Sequence, residues 1–103
     1  MKILLSESAL LDLEAIIEYY RENGVSHVGE NYVREILDHV ETIPDNPDIG
    51  RKVPEFNVEK IREVQNPPFR IVYLRERKII HLVRVWRGER VLDLEGTPAE
   101  SEI

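Results

Sequence analysis

Residues 69–86 read FRIVYLRERKIIHLVRVW, and this stretch decides the fold. Its first part, Phe69 to Leu74, is rich in the β-branched and aromatic residues that favour strands. Arg75 to Lys78 is a short polar connection, and Ile79 to Trp86 is a second apolar run. The pattern therefore predicts two strands joined as an antiparallel hairpin.

Weaker strand signals lie on both sides of this hairpin. Ile3 to Leu5 is too short for a helix and is interpreted as an opening strand. Lys60 to Gln65 predicts another strand, although Glu63 interrupts its apolar pattern, and residues 66–68 (Asn-Pro-Pro) force a turn after it. Residues 44–57 are rich in turn formers and predict irregular chain. One more short element is predicted from Val91, Leu92 and Leu94.

Two helices are predicted between the opening strand and this irregular segment. The first starts at Ser6 or Ser8, whose side-chain oxygen can accept a hydrogen bond from a free helix amide, and it ends before Gly24. The second runs from near Ser26 to about Ile43, because a proline follows. Both carry apolar residues at helical spacing, so they are expected to form an antiparallel hairpin that buries this face against the strands.

The order of these elements predicts an α+β fold. An N-terminal strand and an antiparallel two-helix hairpin are expected to pack on one face of a small antiparallel β-sheet. The other face is expected to be at least partly open, because Arg62, Arg70 and Arg84 lie inside predicted strands and each charge must reach solvent or a partner. Residues 1–94 are expected to form one domain, and residues 95–103, which lack periodicity, a loose C-terminal tail.

Charge is segregated along the 103-residue chain, whose net charge is −6. Residues 51–90 contain eleven Lys/Arg against five Asp/Glu, a balance of +6, whereas residues 1–50 have a balance of −8. The sign of a surface charge bears on partners and not on the fold. The basic segment is therefore the first place to look for contacts.

Composition excludes several classes of function. The absence of cysteine excludes disulfides and cysteine metal sites, and three scattered histidines give no metal-binding pattern, so no metal or other cofactor is predicted. No apolar run approaches the roughly 20 residues of a membrane span, so no membrane association is predicted. The N-terminus becomes acidic too early for a signal peptide, and a cytoplasmic location is expected.

Several short pieces of the sequence, in their order and spacing, resemble the RelE/ParE superfamily of toxins from type II toxin–antitoxin modules. The resemblance covers roughly residues 1–94, and the form of the pieces is closer to ParE than to RelE. The pieces are Asp12-Leu13 with Ile16 and Tyr20, Gly50-Arg51-x-Val53-Pro54-Glu55, Ile61-Arg62-Glu63, Arg70-Ile71-Val72-Tyr73, and Arg84-Val85-x-x-Gly88-x-Arg90.

The resemblance implies a small α+β toxin that a cognate antitoxin neutralises by wrapping a segment around it, which allows a toxin–antitoxin hetero-oligomer. RelE-like members enter the ribosomal A site and cut mRNA, whereas ParE-like members inhibit DNA gyrase without recognised nuclease activity. DNA gyrase is accordingly the leading target, with the ribosome and its mRNA as the alternative. A non-toxic binding module that retains the fold is a third alternative.

The nuclease alternative assigns catalytic roles by this resemblance. Glu55 falls where some RelE-like members place a general base, Arg70 falls where they place a phosphate-binding arginine, and Arg62 is a candidate second cation. RelE-like nucleases usually present His or Tyr near the end of the last strand as the acid, but this chain has Trp86 and Arg87 there. Arginine stays protonated at neutral pH, so the pattern favours a non-enzymatic toxin over a metal-independent ribonuclease.

A cluster of Trp and Arg is the predicted contact surface for the target or the antitoxin. These two residue types are over-represented among residues that dominate the binding energy of interfaces. The predicted contact residues are Arg51, Arg84, Trp86, Arg87 and Arg90.

Each of these assignments has a structural alternative. Trp86 is the kind of residue that caps a core, and charged residues on neighbouring strands often pair with one another. The tyrosines at 19, 20 and 32 are predicted to lie in the helix–helix seam or the core. The alternative ion pairs are Glu55 with Arg51 or Lys52, and Arg62 and Arg70 with Glu63 or Glu59.

Overall fold

The computed structural model describes residues 1–88, and it confirms the α+β fold. Arg90, the element predicted near Val91 and the tail from residue 95 lie outside the described residues. Within residues 1–88 there are two α-helices, a 3₁₀ turn and five strands: β1 (Lys2–Leu5), α1 (Glu7–Glu22), α2 (Ser26–Thr42), the 3₁₀ turn (Ile43–Asp45), β2 (Arg51–Lys52), β3 (Ile61–Asn66), β4 (Phe69–Arg75) and β5 (Ile79–Arg87).

The five strands form one sheet in the order β1-β5-β4-β3-β2. The three pairs from β2 to β5 are antiparallel as predicted, but β1 pairs with β5 in parallel. The sheet is therefore mostly antiparallel, and its parallel pair lies at this edge. Because β1 and β5 are not joined by a tight turn, nothing in their connection requires an antiparallel pair.

The two-residue strand β2 lies in the segment that the sequence predicts as irregular. Arg51 pairs with Glu63 and Lys52 pairs with Arg62. Such a short strand shows no measurable alternation, which is why the sequence does not reveal it.

The N-terminus of α1 and its junction with α2 follow local sequence signals. The Ser6 side chain accepts a hydrogen bond from the Ala9 amide at 3.0 Å, so Ser6, not Ser8, is the N-cap. Gly24 lies in the turn between the helices with φ +78°, a conformation that glycine adopts without steric cost. Within residues 1–88, no helix is both long enough and apolar enough to cross a membrane.

The helices and the sheet share one main core. On the sheet side it contains Phe69 and Ile71 of β4 and Leu82 and Val85 of β5. The helices contribute Ala9, Leu13, Ile16, Ile36 and Val40.

Aromatic rings extend this core into the helix–helix seam. The Tyr20 and Tyr32 ring centroids are 5.5 Å apart, and Tyr32 lies 5.2 Å from Phe69 at a steep angle. Tyr20 and Tyr32 therefore lie in the seam and core as predicted, whereas Tyr19 is 57 % exposed beside them.

A buried hydroxyl ties the loop before β2 to the sheet. The Tyr73 hydroxyl donates to the Pro47 carbonyl at 2.8 Å and accepts from the Gly50 amide at 3.0 Å. Burial raises the pKa of Tyr73 above its ordinary value, so the hydroxyl stays protonated. These two hydrogen bonds fix the loop so that β2, which begins with Arg51, pairs with β3 at the edge of the sheet.

Gly50 fits this site because it lacks a side chain. A Cβ atom there would lie 2.6 Å from the Glu63 carbonyl oxygen and 2.8 Å from the Tyr73 hydroxyl. We expect Gly50→Ala to lower the free energy of unfolding by about 2–3 kcal/mol, because backbone must move and a buried hydroxyl loses its partner. Urea denaturation measures this, with Glu35→Ala on the exposed side of α2 as the control; equal stability of the two variants would contradict the close packing.

Candidate functional site

The strand register places two of the three candidate catalytic residues, Arg62 and Arg70, on opposite faces of the sheet. Cross-strand partners point to the same face, and successive residues of a strand alternate between faces. Arg62 pairs with Tyr73, which packs in a core cluster on the helix side. Arg70 lies between Phe69 and Ile71 of the helix-facing core, so it points to the opposite face. Arg62 and Arg70 therefore do not converge on one site.

On the face away from the helices, Arg70 and Glu55 come together in a charged network. The two terminal nitrogens of Arg70 donate to the two Glu55 carboxylate oxygens at 3.0 and 2.9 Å. The Arg70 Nε donates to Glu63 at 2.6 Å, and Arg51 donates to the other Glu63 oxygen at 2.6 Å. Arg70 is only 2 % exposed and the Glu63 side chain is fully buried.

This network makes Glu55 a poor base and Arg70 a poor phosphate ligand. The hydrogen bonds from Arg70 hold the pKa of Glu55 below its ordinary value, although partial burial acts in the opposite direction. The same pairing raises the pKa of Arg70. A phosphate could reach the Arg70 fork only by displacing Glu55, because Glu63 occupies the remaining donor.

Arg62, which pairs with Lys52 of β2, makes hydrogen bonds within the protein. Its guanidinium donates to the Gly50 carbonyl at 2.8 Å and to the Glu59 carboxylate at 2.7 Å. The alternative ion pairs that the sequence offers for these residues are present: Arg62 with Glu59, and Arg70 with Glu63. Glu55 is paired with Arg70 and not with Arg51 or Lys52 in the described part of the chain.

Trp86 lies on the same face, close to two guanidinium groups. The Arg70 guanidinium carbon is 5.1 Å from the centre of the Trp86 ring, and that of Arg84 is 5.6 Å away. The ring of Phe56, which is 48 % exposed, lies 6.3 Å from Trp86. Cation–π contacts of this kind stabilise by about 0.5–1 kcal/mol where solvent is near. We call Arg51, Phe56, Arg84 and Trp86 the sheet-face patch.

Phe56 is the member of the sheet-face patch that the sequence did not indicate. It lies in the segment predicted as irregular, where its amide donates to the Val53 carbonyl at 3.0 Å. An aromatic residue directly after the Val-Pro-Glu piece was the available signal, but without the fold nothing connects it to Trp86, thirty positions along the chain.

Arg84 is held at the edge of β5 by Asp12 of α1. Two nitrogens of Arg84 donate to the two Asp12 oxygens at 2.8 and 3.0 Å, and the Val85 amide donates to the same carboxylate at 2.8 Å. Asp12 belongs to the sequence pieces of the resemblance, but the sequence gives it no role. This pair raises the pKa of Arg84, which stays charged.

Arg87 points to the helix side, away from its neighbour Trp86. Its guanidinium donates to the Tyr20 hydroxyl at 3.1 Å and lies 5.3 Å from the centre of the Phe69 ring. It borders an open cleft of about 320 Å³ between α1 and β5, which we call the helix–sheet cleft. The cleft is lined by Asp12, Ala15, Ile16, Tyr19, Tyr20, Phe69, Val85 and Arg87.

The structure therefore divides the predicted contact residues into two surfaces. Arg51, Arg84 and Trp86 belong to the sheet-face patch, and Arg87 belongs to the helix–sheet cleft. Within residues 1–88, no group of three or more acidic or histidine side chains is placed to hold a metal ion.

Comparison with known proteins identifies the family of this chain. A family model described as the ParE toxin of the type II toxin–antitoxin system parDE matches residues 3–92. The match spans most of the sequence, and this chain belongs to the ParE toxin family. It is thus a type II toxin of the wider group that includes RelE. A comparison with curated protein sequences found no match.

Two solved structures share the fold at low sequence identity. One, described as the chromosomal ParDE system from P. aeruginosa, has a chain that is 23 % identical with a TM-score of 0.73, and the match covers 86 % of this chain and 97 % of that one. The other, the YoeB dimer from Staphylococcus aureus, is 20 % identical with a TM-score of 0.60, covering 85 % of this chain and 97 % of that one.

The Glu55–Arg70 pair generates a pH-dependent prediction. Because the pKa of Glu55 is depressed in the folded state, the pair contributes stability above the ordinary value of 4.5, and this contribution is lost as the pH falls through the lower folded value. We expect Glu55→Gln to lower the free energy of unfolding at pH 7 by less than about 1 kcal/mol, since Glu55 is half-exposed.

Urea denaturation of both proteins from pH 7 to pH 3 measures this contribution. The difference between wild type and Glu55→Gln should shrink towards zero at the acid end, whereas Glu35→Gln, at an exposed site on α2, should follow the wild type throughout. A difference that is constant with pH would show that the carboxylate charge is not what matters.

Proposed function

We propose that this toxin arrests growth by binding DNA gyrase and that a cognate antitoxin neutralises it. The observation that carries the proposal is the closed Arg70 network. The one arginine that the nuclease alternative needs for phosphate is saturated by two carboxylates, while cationic and aromatic side chains nearby remain exposed. Such an arrangement suits binding a macromolecule better than cleaving RNA.

Membership of the ParE family supports both parts of this proposal. The similar P. aeruginosa structure is described as a ParDE toxin–antitoxin system, which supports a partner antitoxin here. The similar S. aureus protein is a YoeB, so the fold alone does not distinguish between targets. We choose gyrase for two reasons. The chain matches the ParE family, and Arg70, the cation that contacts Glu55, has its hydrogen-bond donors occupied by Glu55 and Glu63.

The two surfaces suit different partners. The sheet-face patch combines Trp86 and Phe56 with Arg51 and Arg84, and aromatic and arginine side chains dominate many protein interfaces. We assign it to the target. The helix–sheet cleft is mainly apolar, so it suits an apolar segment of a partner. We assign it to the antitoxin.

Expression in a bacterial host tests the activity. We expect induction of the chain alone to arrest growth and co-expression of the adjacent open reading frame to restore it. Purified protein should inhibit supercoiling by DNA gyrase, and primer extension on translated messages should find no codon-linked cuts. Codon-linked cuts with unaffected gyrase would instead establish the nuclease alternative, and normal growth with abundant soluble protein would exclude a toxin.

Paired variants test the assignment of the two surfaces. Arg84→Ala should reduce growth arrest on the order of tenfold but leave antitoxin affinity within about threefold, because Arg84 belongs to the target surface and does not itself line the cleft. Tyr19→Ser, at the exposed side of the cleft, should do the opposite. Colony counts after induction and calorimetric titration with the antitoxin measure the two effects. Equal effects of both variants in both assays would contradict separate surfaces.

A further inference from the structure

Asp12 occupies the place of a missing strand at the edge of the sheet. The pairing of β1 with β5 ends at Leu5 and Leu82. Beyond this point side chains meet the backbone of β5: the Ser6 hydroxyl donates to the Val83 carbonyl at 3.1 Å, and Asp12 accepts from the Val85 amide at 2.8 Å. Polar side chains thus satisfy an edge that would otherwise lie open.

The same carboxylate fixes the direction of Arg84. Both Asp12 oxygens accept from Arg84 in a bidentate pair, and the Asp12 side chain is 17 % exposed, whereas that of Arg84 is 43 % exposed. An arginine side chain has several rotatable bonds, and a bidentate partner removes much of that freedom before any target binds. Arg84 is thereby held over one side of the Trp86 ring.

We propose that Asp12 is a positioning residue of the target-contact surface, which acts through Arg84 on Trp86. The proposal rests on the proposed function, because it presumes that the sheet-face patch contacts the target. It adds a residue that itself lies outside that patch, on α1, where it lines the helix–sheet cleft.

Because Arg84 is partly exposed, its pair with Asp12 is expected to affect target binding more than protein stability. An ion pair with an exposed partner contributes little to stability, commonly less than about 1 kcal/mol. Pre-orienting an arginine and a tryptophan that contact a partner acts on binding, because the ordering of these side chains then costs little on association. Loss of the Asp12 charge should therefore affect target contact much more than folding.

Asp12→Asn tests the proposal because it keeps an oxygen that can accept from the Val85 amide but removes the charge that holds Arg84. The control is Asp38→Asn, on the exposed side of α2. Trp86 is the single tryptophan of the chain, so its fluorescence reports directly on the patch. We expect a changed emission and easier quenching by acrylamide in Asp12→Asn, and none in the control.

Growth arrest tests the connection to function. We expect Asp12→Asn to reduce arrest on the order of tenfold, as Arg84→Ala does, and the double variant to lose no more than either single variant, because both act through one contact. Thermal unfolding and immunoblots establish that equal amounts of folded protein are compared. If Asp12→Asn does not fold, Arg84→Gln, which changes only the exposed partner, should give the same fluorescence change and the same loss.

The outcomes separate this proposal from the proposed function. If wild type and Asp12→Asn are equally toxic, the positioning role is wrong but the toxin activity is established. The same conclusion follows if the losses of the two single variants add in the double variant. Unchanged Trp86 fluorescence in Asp12→Asn would also overturn the positioning role. A wild-type chain that does not arrest growth would overturn the proposed function and, with it, the role of Asp12 in target contact.

Discussion

The saturation of one buried guanidinium determines the architecture of the sheet face away from the helices. Arg70 is almost completely removed from water, and a buried charge is tolerated only when its hydrogen-bonding groups are satisfied. Glu63 satisfies one side of Arg70 from the neighbouring strand, and Glu55 satisfies the other from the loop after β2. The loop must therefore cover the sheet here, and it brings Phe56 to Trp86. The hydrogen bonds from Arg70 to Glu55 and Glu63 therefore balance the arginine charge and also hold the loop that carries Phe56 of the sheet-face patch.

The same contacts restrict the chemistry available on this face. Catalytic cleavage of RNA requires a base, a cation for the phosphate and an acid for the leaving oxygen, all directed at one point. Here the base candidate has a lowered pKa, the cation is occupied, and Arg62 points to the other side of the sheet. The position of the expected acid carries Trp86 and Arg87, and neither can donate a proton in that role. Binding requires none of these conditions, only an exposed surface that is held rigid.

Sequence reasoning predicted the elements well because helices and strands produce periodic patterns. The core of β4 and β5 and both helices follow from such patterns, as does the cap at Ser6. The ion-pair network does not. Glu63 looks like an interruption of a strand, although it is the buried centre of the network, because burial of a charge depends on partners that are distant in sequence. The pair of Asp12 and Arg84, separated by 72 positions, is invisible for the same reason.

One feature of the site could have been predicted from the alternation of side chains along a strand. Trp86 and Arg87 are adjacent in a strand, and adjacent strand residues point to opposite faces, so they could not have formed one surface. The positions of Arg62 and Arg70 were harder to predict, because their faces also depend on how β3 and β4 align. A prediction based on clustering in sequence joined residues that the pleat of the sheet separates.

The basic segment changes its meaning once its ion pairs are known. Of the ten Lys/Arg between residues 51 and 88, at least seven lie within 4 Å of a carboxylate oxygen, and the whole chain is acidic. Affinity for nucleic acid grows with the number of cations that can neutralise phosphates and release counterions. Cations that neutralise the protein's own carboxylates contribute little to that number. Much of the charge excess seen in the sequence is therefore balanced by the protein's own carboxylates. The sheet-face patch combines the remaining arginine exposure with aromatic side chains, a composition typical of protein interfaces.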